Sequence, residues 1–111
     1  GHPFELHKAQ MALIEQRENL PFPMPEGEVL DDGSFISSTA SVSGHISRSI
    51  ILEGASVNGA AVNSVVMANS RINGVSESSI IGQDSVIDSR ILNCVIGDGS
   101  KISIDLENER R

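Results

Sequence analysis

The sequence predicts an all-β chain wound as a parallel β-helix of about five coils of 15 residues, preceded by an N-terminal α-helix. The first observation is a column of small residues recurring every 15 positions: Ser34, Ser49, Ser64, Ser79 and Cys94. The second is a pair of aliphatic columns directly after it. One is Phe35, Ile50, Val65, Ile80 and Val95; the other is Ile36, Ile51, Val66, Ile81 and Ile96. The third is a second small column, Ala40, Ala55, Ser70, Ser85 and Ser100, followed two residues on by Val42, Val57, Ile72, Ile87 and Ile102. A unit this short, rich in β-branched residues, Gly, Asn and Asp, reads as short strands joined by tight corners. One coil cannot bury its apolar side alone, so coils stack and each column becomes a ladder. With strands about 4.8 Å apart, the stack is a prism roughly 20–25 Å long.

Four segments follow along the chain. The first is residues 1–18, in which Gly1 and His2 read as a cleavage scar and residues 3–18 are expected to form an amphipathic helix: Pro3 suits a first helical turn, Phe4, Leu6, Met11, Leu13 and Ile14 supply apolar faces, and Ala9 and Ala12 favour helix. Residues 19–33 are expected to be a connector, because Pro21, Pro23 and Pro25 alternate with Phe22 and Met24 and exclude helix. Residues 34–103 are the β-helix. Residues 104–111, with Asp105, Glu107, Glu109, Arg110 and Arg111, are expected to be a charged, solvated tail.

Within each coil the wording is hexadic. Ile51-Leu-Glu-Gly-Ala55-Ser, Val66-Met-Ala-Asn-Ser70-Arg, Ile81-Gly-Gln-Asp-Ser85-Val and Ile96-Gly-Asp-Gly-Ser100-Lys place a large aliphatic four residues before a small one. A second hexad follows at Val57, Ile72 and Ile87, and the third is cut to about three residues. The large residue fills the interior and the small one fits the turn.

Two adjacent aliphatic columns cannot both point inward, because side chains alternate along a strand. The column Phe35, Ile50, Val65, Ile80 and Val95 is therefore expected on the outside, as an apolar interface stripe in need of a cover. The cover is either the helix or proline-rich connector of the same chain, or another subunit or the chain's own catalytic domain, or both at different coils; the second reading predicts self-association, and a homo-oligomer is the expected state.

A net charge of −7 and only eight Lys and Arg argue against nucleic acid and anionic membrane as partners. The lone Cys94 allows no internal disulfide and fits a reducing, cytoplasmic setting. It reads as a buried structural thiol in a small-residue column. His45, between Gly44 and Ile46, is the one coil histidine to weigh as a catalytic base; no second histidine recurs beside it, and the corner reading is stronger. His2, His7 and His45 lack metal-ligand spacing. Asp84, Asp88 and Asp98 read as corners, as does Gly97-Asp98-Gly99; Glu77 and Arg90 read as solvated surface. Asn58 and Asn73 share a column and are expected to form a short amide ladder. No catalytic, cofactor or metal residue is assigned in this chain.

The hexads resemble the hexapeptide repeat of left-handed β-helix proteins, and the left-handed sense follows from that resemblance. Within that group, Asn63-Ser-Val-Val-Met, Ser78-Ser-Ile-Ile-Gly and Asn93-Cys-Val-Ile-Gly look like the Asn/Asp-Ser-Val-Ile-Gly coils in the C-terminal domains of sugar-1-phosphate nucleotidyltransferases. These include the ADP-glucose pyrophosphorylases, glucose-1-phosphate thymidylyltransferases and mannose-1-phosphate guanylyltransferases. The stretch Pro3-Phe-Glu-Leu-His-Lys-Ala-Gln-Met-Ala-Leu-Ile is similar to the helix that follows their catalytic domain, departing from it at His2 and Gln10. The resemblance implies a non-catalytic assembly or regulatory domain. The parent enzyme would transfer a nucleotidyl group from a nucleoside triphosphate to a sugar 1-phosphate such as glucose 1-phosphate, releasing pyrophosphate, with magnesium held in the catalytic domain. The rival readings are a hexapeptide-repeat acyltransferase using His45 and a free-standing structural β-helix.

Overall fold

The computed structural model describes residues 26–111. The helix expected over 3–18 and most of the proline-rich connector lie outside the described residues. What is described contains strands, turns and bends.

The chain winds as a three-sided parallel β-solenoid. A short leading strand, β1 (Gly27–Val29), precedes five coils of three strands each. Coil 1 holds β2 (Phe35–Ser37), β3 (Ser41–Val42) and β4 (His45–Ser47); coil 2 holds β5 (Ile50–Ile51), β6 (Ser56–Val57) and β7 (Ala60–Val62). Coil 3 holds β8 (Val65–Val66), β9 (Arg71–Ile72) and β10 (Val75–Glu77); coil 4 holds β11 (Ile80–Ile81), β12 (Val86–Ile87) and β13 (Arg90–Leu92). Coil 5 holds β14 (Val95–Ile96), β15 (Lys101–Ile102) and β16 (Leu106–Glu107). Each strand pairs in parallel with its counterpart one coil away, so Phe35 faces Ile50, Ser41 faces Ser56 and His45 faces Ala60. Three sheets result, in the orders β1-β2-β5-β8-β11-β14, β3-β6-β9-β12-β15 and β4-β7-β10-β13-β16. The exception to parallel pairing is β1, which runs antiparallel along β2 and covers that edge of the first sheet.

Corners explain the Asn, Gly and Asp of the repeat. Two corners of the coil require left-handed backbone. One is used by Gly33, Arg48, Asn63, Ser78, Asn93 and Asn108, the other by Gly54, Asn69, Asp84 and Gly99. Gly and Asn, and to a lesser degree Asp, enter that region at low cost. At the third corner of the first three coils a glycine lets the coils approach closely: a Cβ on Gly59 would fall 1.8 Å from the Gly74 carbonyl oxygen.

The interior is aliphatic along two sheets and mixed along the third. Ile51, Val66 and Ile81 fill the first, and Val57, Ile72 and Ile87 the second, all fully buried. The third contributes Ile46, Ala61, Ser76, Ile91 and Leu106, with Ile46 only half-buried. Sequence periodicity missed this column because Ala61 and Ser76 interrupt its apolar pattern. The buried hydroxyls are bonded throughout. The Oγ of Ser34, Ser49, Ser64 and Ser79 each accepts the N–H of the residue 15 positions on, at 2.9–3.2 Å. Ser49, Ser64 and Ser79 donate in turn to the carbonyls of Ser47, Val62 and Glu77. Ser70 and Ser85 form a second such ladder, to Ser85 and Ser100. Among the described residues no buried side-chain nitrogen or oxygen lacks a partner, as burial of polar groups demands.

The solenoid continues past residue 103. Leu106 is buried and β16 pairs with β13, while the N–H groups of Val95 and Gly97 donate to the carbonyls of Glu109 and Arg111. The segment expected as a solvated tail thus enters the coil register, because Leu106 supplies the interior residue of the third sheet. Its charged side chains at Glu107, Arg110 and Arg111 are exposed.

Candidate functional site: an apolar face outside the solenoid

Strand alternation sorts the two adjacent aliphatic columns as expected. Ile51, Val66 and Ile81 point inward, and Phe35, Ile50, Val65 and Ile80 form a second apolar cluster separate from the interior. Leu52 and Met67, half-buried, pack against this outer cluster. Each stands two residues after an outward member of the stripe, on the same side of the sheet. Their column also holds Ser37, Gly82 and Gly97, which hid its apolar character in the sequence; the i, i+2 spacing was the available signal.

The outer face is not an open stripe. Phe35, Ile50, Val65 and Ile80 retain only 4–6% exposure within the single chain, and Val95 is half-buried. An outer strand face normally stays about half in water when one side of a sheet is solvated. Near-complete burial at four coils makes this face a second packing layer. Its width tapers: large side chains flank it at coils 2 and 3, and glycines at coils 4 and 5. Gly82 is buried, and a Cβ there would meet backbone of Gly97 and Asp98 at 2.6–2.7 Å.

The other candidates fall elsewhere. His45 begins β4 with an exposed side chain, and its N–H donates to the Gly59 carbonyl at 2.9 Å. Its neighbour in the next coil is Ala60, and among the described residues no carboxylate or hydroxyl bonds its ring. Cys94 is 1% exposed, and its Sγ donates to the Leu92 carbonyl at 3.3 Å, in the manner of the serines it replaces. Asp84 occupies a left-handed corner. Asp98 accepts the Gln83 N–H at 3.0 Å, and Gly99 turns the chain with φ +72°. Glu77 and Arg90 sit on the outer side of the third sheet, 3.5 Å apart and exposed to water, where such a pair contributes little. Among the described residues no three His, Cys, Asp or Glu cluster as a metal site would require.

At the N-terminal end an open hollow of about 800 Å³ lies beside β1, with Glu26, Glu28, Ile36, Ser37, Ser38 and Ala40 among its lining. Its charged groups are carboxylates, which repel phosphate. Asp32 stands at the same end. One carboxylate oxygen accepts the Ser34 N–H at 2.9 Å and the other the Arg48 N–H at 3.0 Å. These bonds, the one from Arg48 first, hold the Asp32 carboxyl below its usual range. Asp32 falls in the segment expected as a connector over 19–33, where its sequence context gave no sign of this role.

The amide ladder is longer than Asn58 and Asn73. Ser43 donates to Asn58 at 2.9 Å, Asn58 to Asn73 at 2.8 Å and Asn73 to the Asp88 carboxylate at 2.7 Å, across four coils on an exposed corner.

Compared with known proteins, the chain matches no family model and no curated relative. Fold and face together define it as a parallel β-solenoid with one interior apolar core and one apolar layer on its outside. Among the described residues no helix is long and apolar enough to cross a membrane.

Proposed function

We propose that the chain is a non-catalytic assembly or regulatory domain of a cytoplasmic sugar-1-phosphate nucleotidyltransferase. The assembly role rests on the resemblance of the coil wording, and the second apolar cluster supports only that this face packs against other structure. A solenoid that served only as a rod buries one core; this one also buries Phe35, Ile50, Val65 and Ile80 on its outer side. Such a face holds other structure in a fixed place. The nucleotidyltransferase assignment rests on the coil wording at Asn63, Ser78 and Asn93, whose structural counterpart is a left-handed corner followed by a buried small residue. The left-handed sense of winding belongs to this reading, and the 15-residue, three-sheet coil supports it. Substrates and magnesium belong to the catalytic domain, and no residue of this chain is assigned to them. In this reading the assembled enzyme is a homo-oligomer.

The upstream coding sequence and the intact enzyme test it. A Gly-rich nucleotide-binding domain is expected directly before Pro3. The two-domain protein is expected to release pyrophosphate from a nucleoside triphosphate only when a sugar 1-phosphate is added. Removing residues 26–111 is expected to lower its oligomeric state in light scattering. An upstream sequence without such a domain sinks the assignment, as does acyl transfer by this chain that a His45→Ala variant abolishes.

A further inference from the structure

The exposed ladder sits on the two Asn-Gly pairs of the chain, Asn58-Gly59 and Asn73-Gly74. A Cβ on Gly59 or Gly74 would lie 1.8 Å or 2.1 Å from a carbonyl oxygen of the next coil, so a larger residue after these asparagines would displace the backbone. Glycine is also the residue that leaves its own backbone nitrogen least hindered toward the preceding side chain. We propose that Asn58 and Asn73 are sites of spontaneous conversion to aspartate and isoaspartate, restrained in the folded state by the ladder itself.

The chemistry needs only water. The Gly59 backbone nitrogen attacks the Asn58 side-chain carbon and forms a new C–N bond. The C–N bond to Nδ2 breaks, and the nitrogen's proton leaves with ammonia. Water then opens the five-membered imide at either carbonyl, giving aspartate or isoaspartate, which loses a proton at neutral pH. The same balance holds for Asn73 and Gly74.

Two features of the fold oppose this. Both attacking nitrogens are engaged as donors: Gly59 N–H to the Ile72 carbonyl at 3.2 Å, and Gly74 N–H to the Ile87 carbonyl at 3.1 Å. Both side-chain amides are tied on two sides. Asn58 accepts from Ser43 and donates to Asn73; Asn73 accepts from Asn58 and donates to the Asp88 carboxylate. A bond to a charged partner is the stronger kind. The Asp88 charge also opposes loss of a proton from the nearby Gly74 nitrogen. Asn73 is therefore the better protected of two chemically similar sites. Its conversion is also the more damaging, since it sets a carboxylate against Asp88 in place of a 2.7 Å donor.

The test is peptide mapping by mass spectrometry of the intact chain aged at pH 8, folded and in denaturing urea. In urea both sites are expected to convert at similar rates. In the folded chain both slow, and Asn58 leads Asn73 by about fivefold, the ratio for about 1 kcal/mol of extra restraint from the charged acceptor. Asp88→Ala is expected to erase that lead by speeding Asn73 alone, and Ser43→Ala to speed Asn58 alone. Folded and unfolded rates that coincide would overturn the proposal, as would equal folded rates in the parent and both variants. No conversion in urea removes the sites altogether.

Discussion

The Asp32 carboxylate gives the Arg48 and Ser34 N–H groups the acceptors that a preceding coil gives their counterparts. In the later coils the N–H of the left-handed corner residue bonds a carbonyl of the coil before, as Asn63 does with Ser47 at 2.9 Å. The next N–H bonds a serine Oγ, as Ser64 does with Ser49. Before coil 1 the described chain supplies neither, and the two oxygens of Asp32 meet the equivalent N–H groups of Arg48 and Ser34. One side chain thus finishes two ladders.

Asp32→Ala is expected to destabilise the solenoid by about 1 kcal/mol, the scale of a lost capping residue. The pH dependence has a definite sign. The folded carboxyl titrates below its ordinary 3.8, so its contribution is complete above that value and fades as pH falls through the lower folded value. Urea melts of the two proteins are expected to differ at pH 7 and to converge under acid conditions.

Ser64→Ala is expected to cost about 2–3 kcal/mol despite removing a single oxygen. Ser64 is fully buried, and its Oγ accepts the Ser79 N–H and the Ser76 hydroxyl; both donors would be left unpaired inside the prism. A urea midpoint within error of the parent would show that water reaches this ladder.

Glycine corners are expected to differ by mechanism. Gly59→Ala forces a Cβ against the Gly74 carbonyl and is expected to cost about 3 kcal/mol through overpacking. Gly99→Ala meets nothing within 4 Å and bears only the strain of its φ of +72°, about 1 kcal/mol. Thermal melts of the two variants, compared side by side, check the order.

Ile80→Ala and Ile81→Ala are adjacent in sequence and opposite in space. Both are expected to cost about 3 kcal/mol, since 4% and 0% exposure mark both as packed. Were the outer column a solvated stripe, Ile80→Ala would change stability by under about 0.5 kcal/mol, as surface substitutions do. Denaturation of the chain at low concentration separates the two outcomes.

The solenoid was legible from residues 34 to 103 because its period depends on residue identity alone. Each large inward residue at Ile51, Val57 and their counterparts recurs 15 positions on, and most of the left-handed corners carry Gly, Asn or Asp. The inner column of the third sheet was not legible. Ala61 and Ser76 are small enough for a narrow interior, and Ser76 reaches its partner Ser64 only through the stacking. The coil at Leu106 was masked by its charged neighbours, which point outward.

By itself the sequence determined the repeat, its strand directions and the separation of Phe35, Ile50, Val65 and Ile80 from the interior. Those properties are local, set by alternation along a strand and by the sterics of corners. Only the tertiary structure decided that Phe35, Ile50, Val65 and Ile80 are buried, that Asp32 completes the first coil, and that Ser43 and Asp88 extend the asparagine ladder. Burial and hydrogen bonding depend on what lies across from a residue, and in a solenoid that neighbour sits a whole coil away in sequence or on another face altogether.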